Sequence, residues 1–167
     1  MSTGVETQPE PETEKAKYAD LCNAWVKSTS KQRGELAELM FVVKATQQGF
    51  VTSKPYGDSQ RYDFIVDAGS RLWRVQVKSA STIFHGAYHA NGRRHQYGRA
   101  IPYTAREIDL VVAYVMPENS WSVIPIKACA DRQSLLLYPI NDPRVGPYTQ
   151  YREAWQLMMS DAVERRQ

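Results

Sequence analysis

The most regular pattern of apolar and polar positions lies between residues 31 and 48 of the chain. Four apolar side chains recur there at spacings of three and four, which places them on one face of an α-helix. They are Leu36, Leu39, Met40 and Val43. Polar residues 28–30 precede the segment as N-cap candidates, and Gly49 follows it as a natural C-cap. We therefore predict a helix over 31–48 that packs this face on the core.

Extended structure is predicted in the next part of the chain, beginning at residues 50–52. A β-rich run covers Tyr62 to Val66, turn residues follow from Asp67 to Ser70, and a second run covers Leu72 to Lys78. Apolar and polar residues alternate in the second run, as in a strand with one buried face. The apolar set is Trp73, Val75 and Val77, and the polar set is Arg74, Gln76 and Lys78. The pattern predicts a β-hairpin.

The remainder of the chain adds further strands and a final helix. Runs typical of strands cover Asp109 to Val115 and Trp121 to Ile126, and residues 117–119 form the turn between them. The spacing of apolar residues from Tyr151 to Val163 predicts an amphipathic helix. Residues 81–103 show no regular pattern and are expected to form a loop. The order of these elements indicates an α/β fold, in which a mixed sheet is flanked by helices.

Composition favours one soluble domain inside the cell. The chain has 167 residues, 43% of them hydrophobic, and a formal net charge of +3, which permits a polyanionic partner without requiring one. Residues 1–16 are poor in apolar side chains, so we predict a disordered tail, then a single domain over 17–163 and a basic end at 164–167. We expect neither a signal peptide nor a membrane span, and we expect two reduced cysteines in a cytoplasmic protein.

The polar residues of the predicted hairpin suggest a chemical site. Asp63 interrupts an apolar strand, whereas Gln76 and Lys78 are two residues apart and so lie on one side of theirs. A carboxylate and an amide oxygen are ligands for a hard cation such as Mg²⁺. A lysine beside them can stabilise negative charge that develops on a phosphate. Glu35 and Glu38 on the preceding helix are alternative sources of a further acid.

Taken singly, these residues also have ordinary structural explanations. Asp63 could pair with Arg61 or Arg74. Gln76 and Lys78 could simply be solvated positions on a half-exposed sheet. Their combination at these spacings favours metal-assisted hydrolysis of a phosphodiester bond.

At these residues the sequence resembles the PD-(D/E)XK nuclease superfamily. The matching elements are Asp63, the Gln76-Val77-Lys78 strand, and Gly34 with Glu38 on the upstream helix. More narrowly, the segments GELAEL, GDSQRYDFIVD, RVQVKSA and YTAREIDLVVAYV resemble bacterial homing endonucleases encoded in group I introns. The resemblance covers roughly residues 31–127.

The resemblance implies a restriction-endonuclease-like core and a metal-dependent DNA endonuclease. It implies that Glu38 and Asp63 are metal-binding acids, that Gln76 is a metal or water ligand, and that Lys78 is the catalytic lysine. The implied cofactor is Mg²⁺, with Mn²⁺ as an alternative ion. The spacing of the family motif favours Glu38 over Glu35, which stays as the alternative extra acid.

The basic segment from residue 84 to residue 106 is the candidate DNA-binding surface. Its arginines can neutralise phosphates, and its tyrosines can stack or donate hydrogen bonds. The candidate residues are Arg93, Arg94, Arg99, Tyr103 and Arg106. A solvated loop with scattered charges is the alternative interpretation. The expected partner is double-stranded DNA, and because one chain has one site, cutting both strands predicts a homo-oligomer.

Two other functions fit the same residues. A structure-specific nuclease, similar to the archaeal Holliday junction resolvases, would share the core and prefer branched DNA. A DNA-binding module without cleavage is the second, and the neutral Gln76 favours it because the site then holds less negative charge. Tyr62, which stands in the place of the family's proline, is a further departure from the family pattern.

Overall fold

The computed structural model describes residues 27–57 and 59–159. The predicted tail over 1–16, residues 17–26, 58 and 160–163 of the predicted domain, and the basic end at 164–167 lie outside these residues. The helices are α1 (Ser30–Gln47) and α2 (Ile126–Cys129), and the strands are β1 (Val51–Ser53), β2 (Phe64–Asp67), β3 (Leu72–Ala80), β4 (Ile83–Phe84), β5 (Ala87–Asn91), β6 (Arg93–Gln96), β7 (Arg99–Pro102), β8 (Leu110–Val115), β9 (Ser120–Pro125) and β10 (Ser134–Leu137). Short 3₁₀ helices cover Met116–Glu118, Thr149–Tyr151 and Trp155–Met158. Across 27–57 and 59–159, no helix has the length and apolar character needed to cross a membrane.

A five-stranded mixed sheet forms the centre of the fold, with strand order β1-β2-β3-β8-β9. β3 and β8 run parallel, and the other neighbours are antiparallel. The predicted hairpin is confirmed, because Phe64 pairs with Val75 and Asp67 with Leu72. The later predicted strands are β8 and β9. The α/β fold with a mixed sheet is therefore as predicted.

Helix α1 covers one face of this sheet. It begins in a capping box, in which Thr29 Oγ accepts from the Gln32 backbone N–H and the Gln32 side chain accepts from the Thr29 N–H. Its buried residues lie at every fourth position. They are Ala37, Phe41 and Ala45.

The predicted apolar face of this helix is partly wrong. Leu39 and Val43 are 67% and 52% exposed, whereas Leu36 and Met40 pack only at the margin of the core. The middle of the helix is apolar almost all round, so periodicity alone could not choose the buried stripe. Contacts with the sheet determine which stripe is buried. The Phe41 ring lies 5.1 Å from the Phe64 ring, and the small side chains of Ala37 and Ala45 flank Phe41 on the helix.

The second face of the sheet is covered by another sheet instead of a helix. This three-stranded sheet has the order β10-β5-β4, and its buried side chains pack on β8 and β9. They include Tyr88, Ala90, Leu135 and Leu137, which meet Val111, Ala113 and Ile124. A sheet can cover a sheet as well as a helix can, provided that its inner face is apolar.

The predicted loop over 81–103 is wrong, because this segment forms two β-hairpins. β4 pairs with β5, and β6 with β7. Each hairpin closes through a two-residue turn with both φ angles positive, at His85-Gly86 (50° and 79°) and Tyr97-Gly98 (50° and 73°). These angles are typical of type I′ turns, which favour Asn-Gly or Asp-Gly. The turns were missed because histidine and tyrosine are rare at their first position.

The predicted helix over Tyr151 to Val163 is also wrong as far as Met159, beyond which the residues are not described. Glu153 has a φ of 49° and interrupts any regular helix. Its backbone N–H donates to the Trp121 carbonyl (2.8 Å), and its carboxylate accepts from the Trp121 N–H (2.8 Å) and the Trp155 indole (2.9 Å). These contacts with β9 replace helical hydrogen bonds and place Trp155 in the core.

A buried ion-pair network fixes the turn that leads into β8. The Asp109 carboxylate accepts from the Arg74 backbone N–H (2.8 Å) and guanidinium (3.0 Å), and from Arg71 (3.2 Å). Burial opposes ionisation of Asp109, but the hydrogen bonds from Arg74 outweigh it and lower the pKa of this carboxyl. Arg74 also donates to the carbonyls of Ala105 and Arg106, so one side chain binds both the Asp109 carboxylate and the backbone that precedes it.

We expect Asp109→Ala to lower the free energy of unfolding by about 2 kcal/mol at pH 7, because it removes the carboxylate that accepts from the Arg74 backbone N–H and from its half-buried guanidinium. Since the folded-state pKa of Asp109 is lowered, its contribution is present above the unfolded-state pKa of about 4 and is lost as the pH falls below it. Urea unfolding at pH 7 and pH 3 measures both values. Asp131→Ala, which removes an exposed carboxylate, is the control, and equal losses for the two variants would contradict the assignment.

Candidate active site

A mismatch in strand length creates the cleft that holds the candidate residues. β2 pairs with β3 only as far as Val75, so β3 from residue 76 onward has no partner on that edge. On its other edge β3 continues in parallel with β8. The open edge is the floor of a cavity of about 660 Å³ between α1 and strands β4 and β5. We call this cavity the cleft, and its lining includes Glu38, Asp63, Gln76 and Lys78.

Asp63 lies immediately before β2 and points onto the open edge of β3. One of its carboxylate oxygens, Oδ2, accepts from the Val77 backbone N–H (2.8 Å) and from Gln76 Nε2 (2.5 Å). Burial raises the pKa of Asp63, and the nearby Glu38 carboxylate raises it further, although the Val77 N–H opposes the shift. The site therefore holds a half-buried carboxylate whose charge is only partly compensated.

Glu38 reaches the cleft from α1 and forms an ion pair that sequence reasoning missed. Its Oε2 lies 2.6 Å from Lys54 Nζ. This hydrogen bond raises the pKa of Lys54 despite some burial. The Lys54 ammonium also lies 5.7 Å from the centre of the Phe64 ring. Lys54 is sixteen residues from Glu38 and follows β1, so only the packing of α1 on that strand brings the two together.

Lys78 is half-buried, and its ammonium donates to the Tyr103 hydroxyl at 3.0 Å. Burial lowers the pKa of Lys78, and the carboxylates of Asp63 and Glu38 partly offset the shift. Tyr103 is only 4% exposed, and burial raises its pKa, so the hydroxyl keeps its proton. Tyr103 was expected on the DNA-binding surface, but the structure places its ring in the core beneath Lys78.

Gln76 and Glu35 differ in their relation to the cleft. Gln76 is buried on the floor, where its amide nitrogen faces Asp63. Glu35 lies outside the cleft, with a side chain that is 61% exposed and 4.0 Å from Lys31. It lines a separate apolar groove beside α1 together with Leu39. The structure therefore brings Glu38, and not Glu35, to Asp63.

The donor atoms of the cleft fit a hard divalent cation. Two carboxylates and one amide meet there, and such oxygens are the ligands that Mg²⁺ takes alongside several waters. Burial and, to a smaller extent, the nearby Glu38 carboxylate raise the pKa of Asp63, and a bound cation would favour its ionised form. In the described parts of the chain, no group of three or more His, Cys, Asp or Glu side chains could hold a metal.

The predicted DNA-binding residues fall into three environments. Arg99 and Arg106 are exposed. Arg93 is half-buried and donates to the Ala100 carbonyl at 3.4 Å, whereas Arg94 donates to Glu107 at 3.0 Å. Tyr103, as described above, contacts Lys78. Only the first two present their charge fully to solvent.

Comparisons with known proteins agree with this geometry. Residues 28–158 match the sequence profile of the PD-(D/E)XK endonuclease family. A bacterial homing endonuclease, I-Ssp6803I, has a similar structure, with a TM-score of 0.74 and 27% sequence identity over 84% of this chain and 99% of that one. No curated protein matches the chain. Because the family profile spans most of its length, the chain belongs to the PD-(D/E)XK endonuclease family and is a nuclease.

Proposed function

We propose that this nuclease is a Mg²⁺-dependent endonuclease that hydrolyses phosphodiester bonds in double-stranded DNA, in the manner of a homing endonuclease. One observation supports this most directly: two carboxylates, from Glu38 and Asp63, meet the Lys78 ammonium in a single cleft. The similarity to I-Ssp6803I, whose structure is that of a bacterial homing endonuclease, supports the choice of DNA as substrate.

In this proposal Glu38 and Asp63 hold the metal ion, and the amide oxygen of Gln76 adds a neutral ligand. A bound Mg²⁺, or Mn²⁺ in its place, would supply Lewis acidity toward the phosphate and the attacking water. The chain fixes Asp63 through the Val77 N–H, so the carboxylate is oriented before any ligand binds. Lys54 holds Glu38 at the rim by its ion pair.

Lys78 contributes positive charge at the phosphate. Its ammonium is held against the Tyr103 hydroxyl, and burial weakens the competition from water. A fixed cation in a partly dry site stabilises the charge that develops on the phosphate oxygens in the transition state. Tyr103 touches only the lysine in this account, so its role is to position Lys78.

The DNA backbone would lie across the mouth of the cleft, against the exposed arginines Arg99 and Arg106. One chain provides one cleft, and cutting both strands needs two. We therefore propose a homo-oligomer as the form that makes a double-strand break.

The positive charge of Lys78 can be tested without shortening its side chain. Lys78→Met removes the charge and keeps the length of the side chain, so cleavage of a plasmid panel in Mg²⁺ should fall by roughly 10²–10³-fold. The DNA dissociation constant should change little, and EDTA should abolish cleavage by the wild type. Lys127→Met, at an exposed site on α2, is the control.

Cleavage by Lys78→Met at the wild-type rate would remove the lysine from the mechanism. Wild-type protein that binds every duplex and branched DNA but cuts none would favour the binding-module alternative.

The positioning role of Tyr103 depends on its hydroxyl. Tyr103→Phe removes the oxygen that accepts from Lys78, so kcat should fall roughly 10-fold with the DNA dissociation constant unchanged. Tyr88→Phe is the control, since Tyr88 is buried in the same cluster away from the cleft. The opposite result, weaker DNA binding with unchanged kcat, would return Tyr103 to the DNA-binding surface.

Without a metal ion, the charge of Asp63 should lower the stability of the fold. The folded-state pKa of Asp63 is raised, so its ionised form destabilises the fold above that pKa and has no such effect below about pH 3.9. Asp63→Asn should therefore raise Tm at pH 7 in EDTA, by roughly 2–4 °C for each 1 kcal/mol. The gain should vanish near pH 3.

Mg²⁺ should raise Tm of the wild type and leave that of Asp63→Asn unchanged, because only the wild type offers both carboxylates. Equal stabilisation of the two proteins by Mg²⁺ would place the ion elsewhere.

A further inference from the structure

One long segment of this chain carries positive charge and no acid. From residue 68 to residue 106 the sequence contains no Asp or Glu, yet it holds seven Lys or Arg residues and all three histidines. The β6–β7 hairpin lies in the second half of this span. A long segment without acids, in a chain whose net charge is only +3, is suited to a polyanion.

The β6–β7 hairpin stands apart from the other sheets. Its two strands pair only with each other among the described residues. The end of the hairpin is exposed at His95 and from Tyr97 to Ala100. Tyr97 is 94% exposed and has a φ of 50°, which is an unfavourable conformation for a bulky residue. A bulky residue held in this conformation at an exposed turn is a candidate for a role in binding.

The base of the hairpin is held firmly in place. Arg94 donates to Glu107 at 3.0 Å, and Glu107 also accepts from the backbone and hydroxyl of Thr104. Immediately before β6, the Gly92 N–H donates to the Gln133 carbonyl. A Cβ at this glycine would lie 2.5 Å from the Arg132 carbonyl oxygen. Arg94 is therefore used inside the protein, and Arg99 is the hairpin arginine that remains exposed.

The hairpin is also linked directly to the cleft. β7 ends at Pro102, and the next residue, Tyr103, contacts the Lys78 ammonium at 3.0 Å. Tyr103 follows Gly98 of the turn by five positions, and five positions span about 16 Å in an extended strand. At about 3.4 Å per base pair along one strand, this span covers no more than about five base pairs.

From these features we infer that the tip of the β6–β7 hairpin enters the major groove of duplex DNA and reads base edges within about five base pairs of the cut. This inference rests on the proposed function. The major groove, about 12 Å wide, admits a two-stranded ribbon. Arg99 is the residue that contacts guanine, because arginine binds its O6 and N7 with two hydrogen bonds. Arg94 positions the hairpin.

A cleavage selection tests the inference without knowledge of the target. The full chain is incubated with a randomised duplex library in Mg²⁺, and the cut ends are sequenced to give base preferences at each distance from the cut. Wild-type protein should show a guanine preference within about five base pairs. Arg99→Ala and Arg99→Lys should both lose it and keep the preferences at other positions, since lysine retains the charge but not the paired donors.

Arg106→Ala is the matched control, because Arg106 is exposed but lies outside the hairpin. It should weaken cleavage evenly across sequences and reduce the salt dependence of binding by about one charge. Thermal unfolding of each variant verifies that the fold is intact.

Three outcomes would overturn the inference and leave the nuclease standing: no base preference in the wild type, an unchanged preference in Arg99→Ala, or its full rescue in Arg99→Lys. The last would make Arg99 a phosphate contact. Failure of the wild type to cut any duplex would instead overturn the proposed function on which the inference rests.

Discussion

The open edge of β3 is the constraint on which the rest of this structure depends. β3 has nine residues and β2 has four, so beyond Val75 the β2 side of β3 presents backbone groups that β2 does not satisfy, while β8 pairs along the other side. A partly buried N–H without a partner is costly, and the Asp63 carboxylate supplies the partner for Val77. The same contact fixes Asp63 at the floor of the cleft. One hydrogen bond thus both completes the sheet edge and orients an acid for chemistry.

The cleft is electrostatically unfavourable in the isolated protein. Burial shifts Asp63 and Lys78 toward their neutral forms, by raising one pKa and lowering the other. The carboxylates of Asp63 and Glu38 offset part of the shift at Lys78, and the Val77 N–H and the Lys78 ammonium offset part of the shift at Asp63. Such shifts suit a site that receives a cation and a phosphate. A cation would favour the ionised form of Asp63, and a phosphate would favour the charged form of Lys78. Outside the cleft, Phe41 packs against Trp121 and Trp155 in the core, and Arg74 pairs with Asp109.

The second face of the sheet is covered by strands, and these strands also shape the cleft. The β4–β5 hairpin forms one of its walls. The β6–β7 hairpin continues from the same segment and returns to the site at Tyr103. The sequence that builds both hairpins contains no Asp or Glu, and it leads into Tyr103, which contacts Lys78.

The sequence by itself determined the strands β2, β3, β8 and β9, helix α1 with its caps, and the four residues of the cleft, because these depend on alternation, capping chemistry and motif spacing. Glu35 and Glu38 could not be separated by residue chemistry; the motif spacing favoured Glu38, and the packing of α1 places it in the cleft. Tertiary structure decided the buried stripe of α1, the Glu153 contact that replaces a helix, and the burial of Tyr103. Each of these rests on contacts between residues distant in the chain, and local propensity is too weak to resist them.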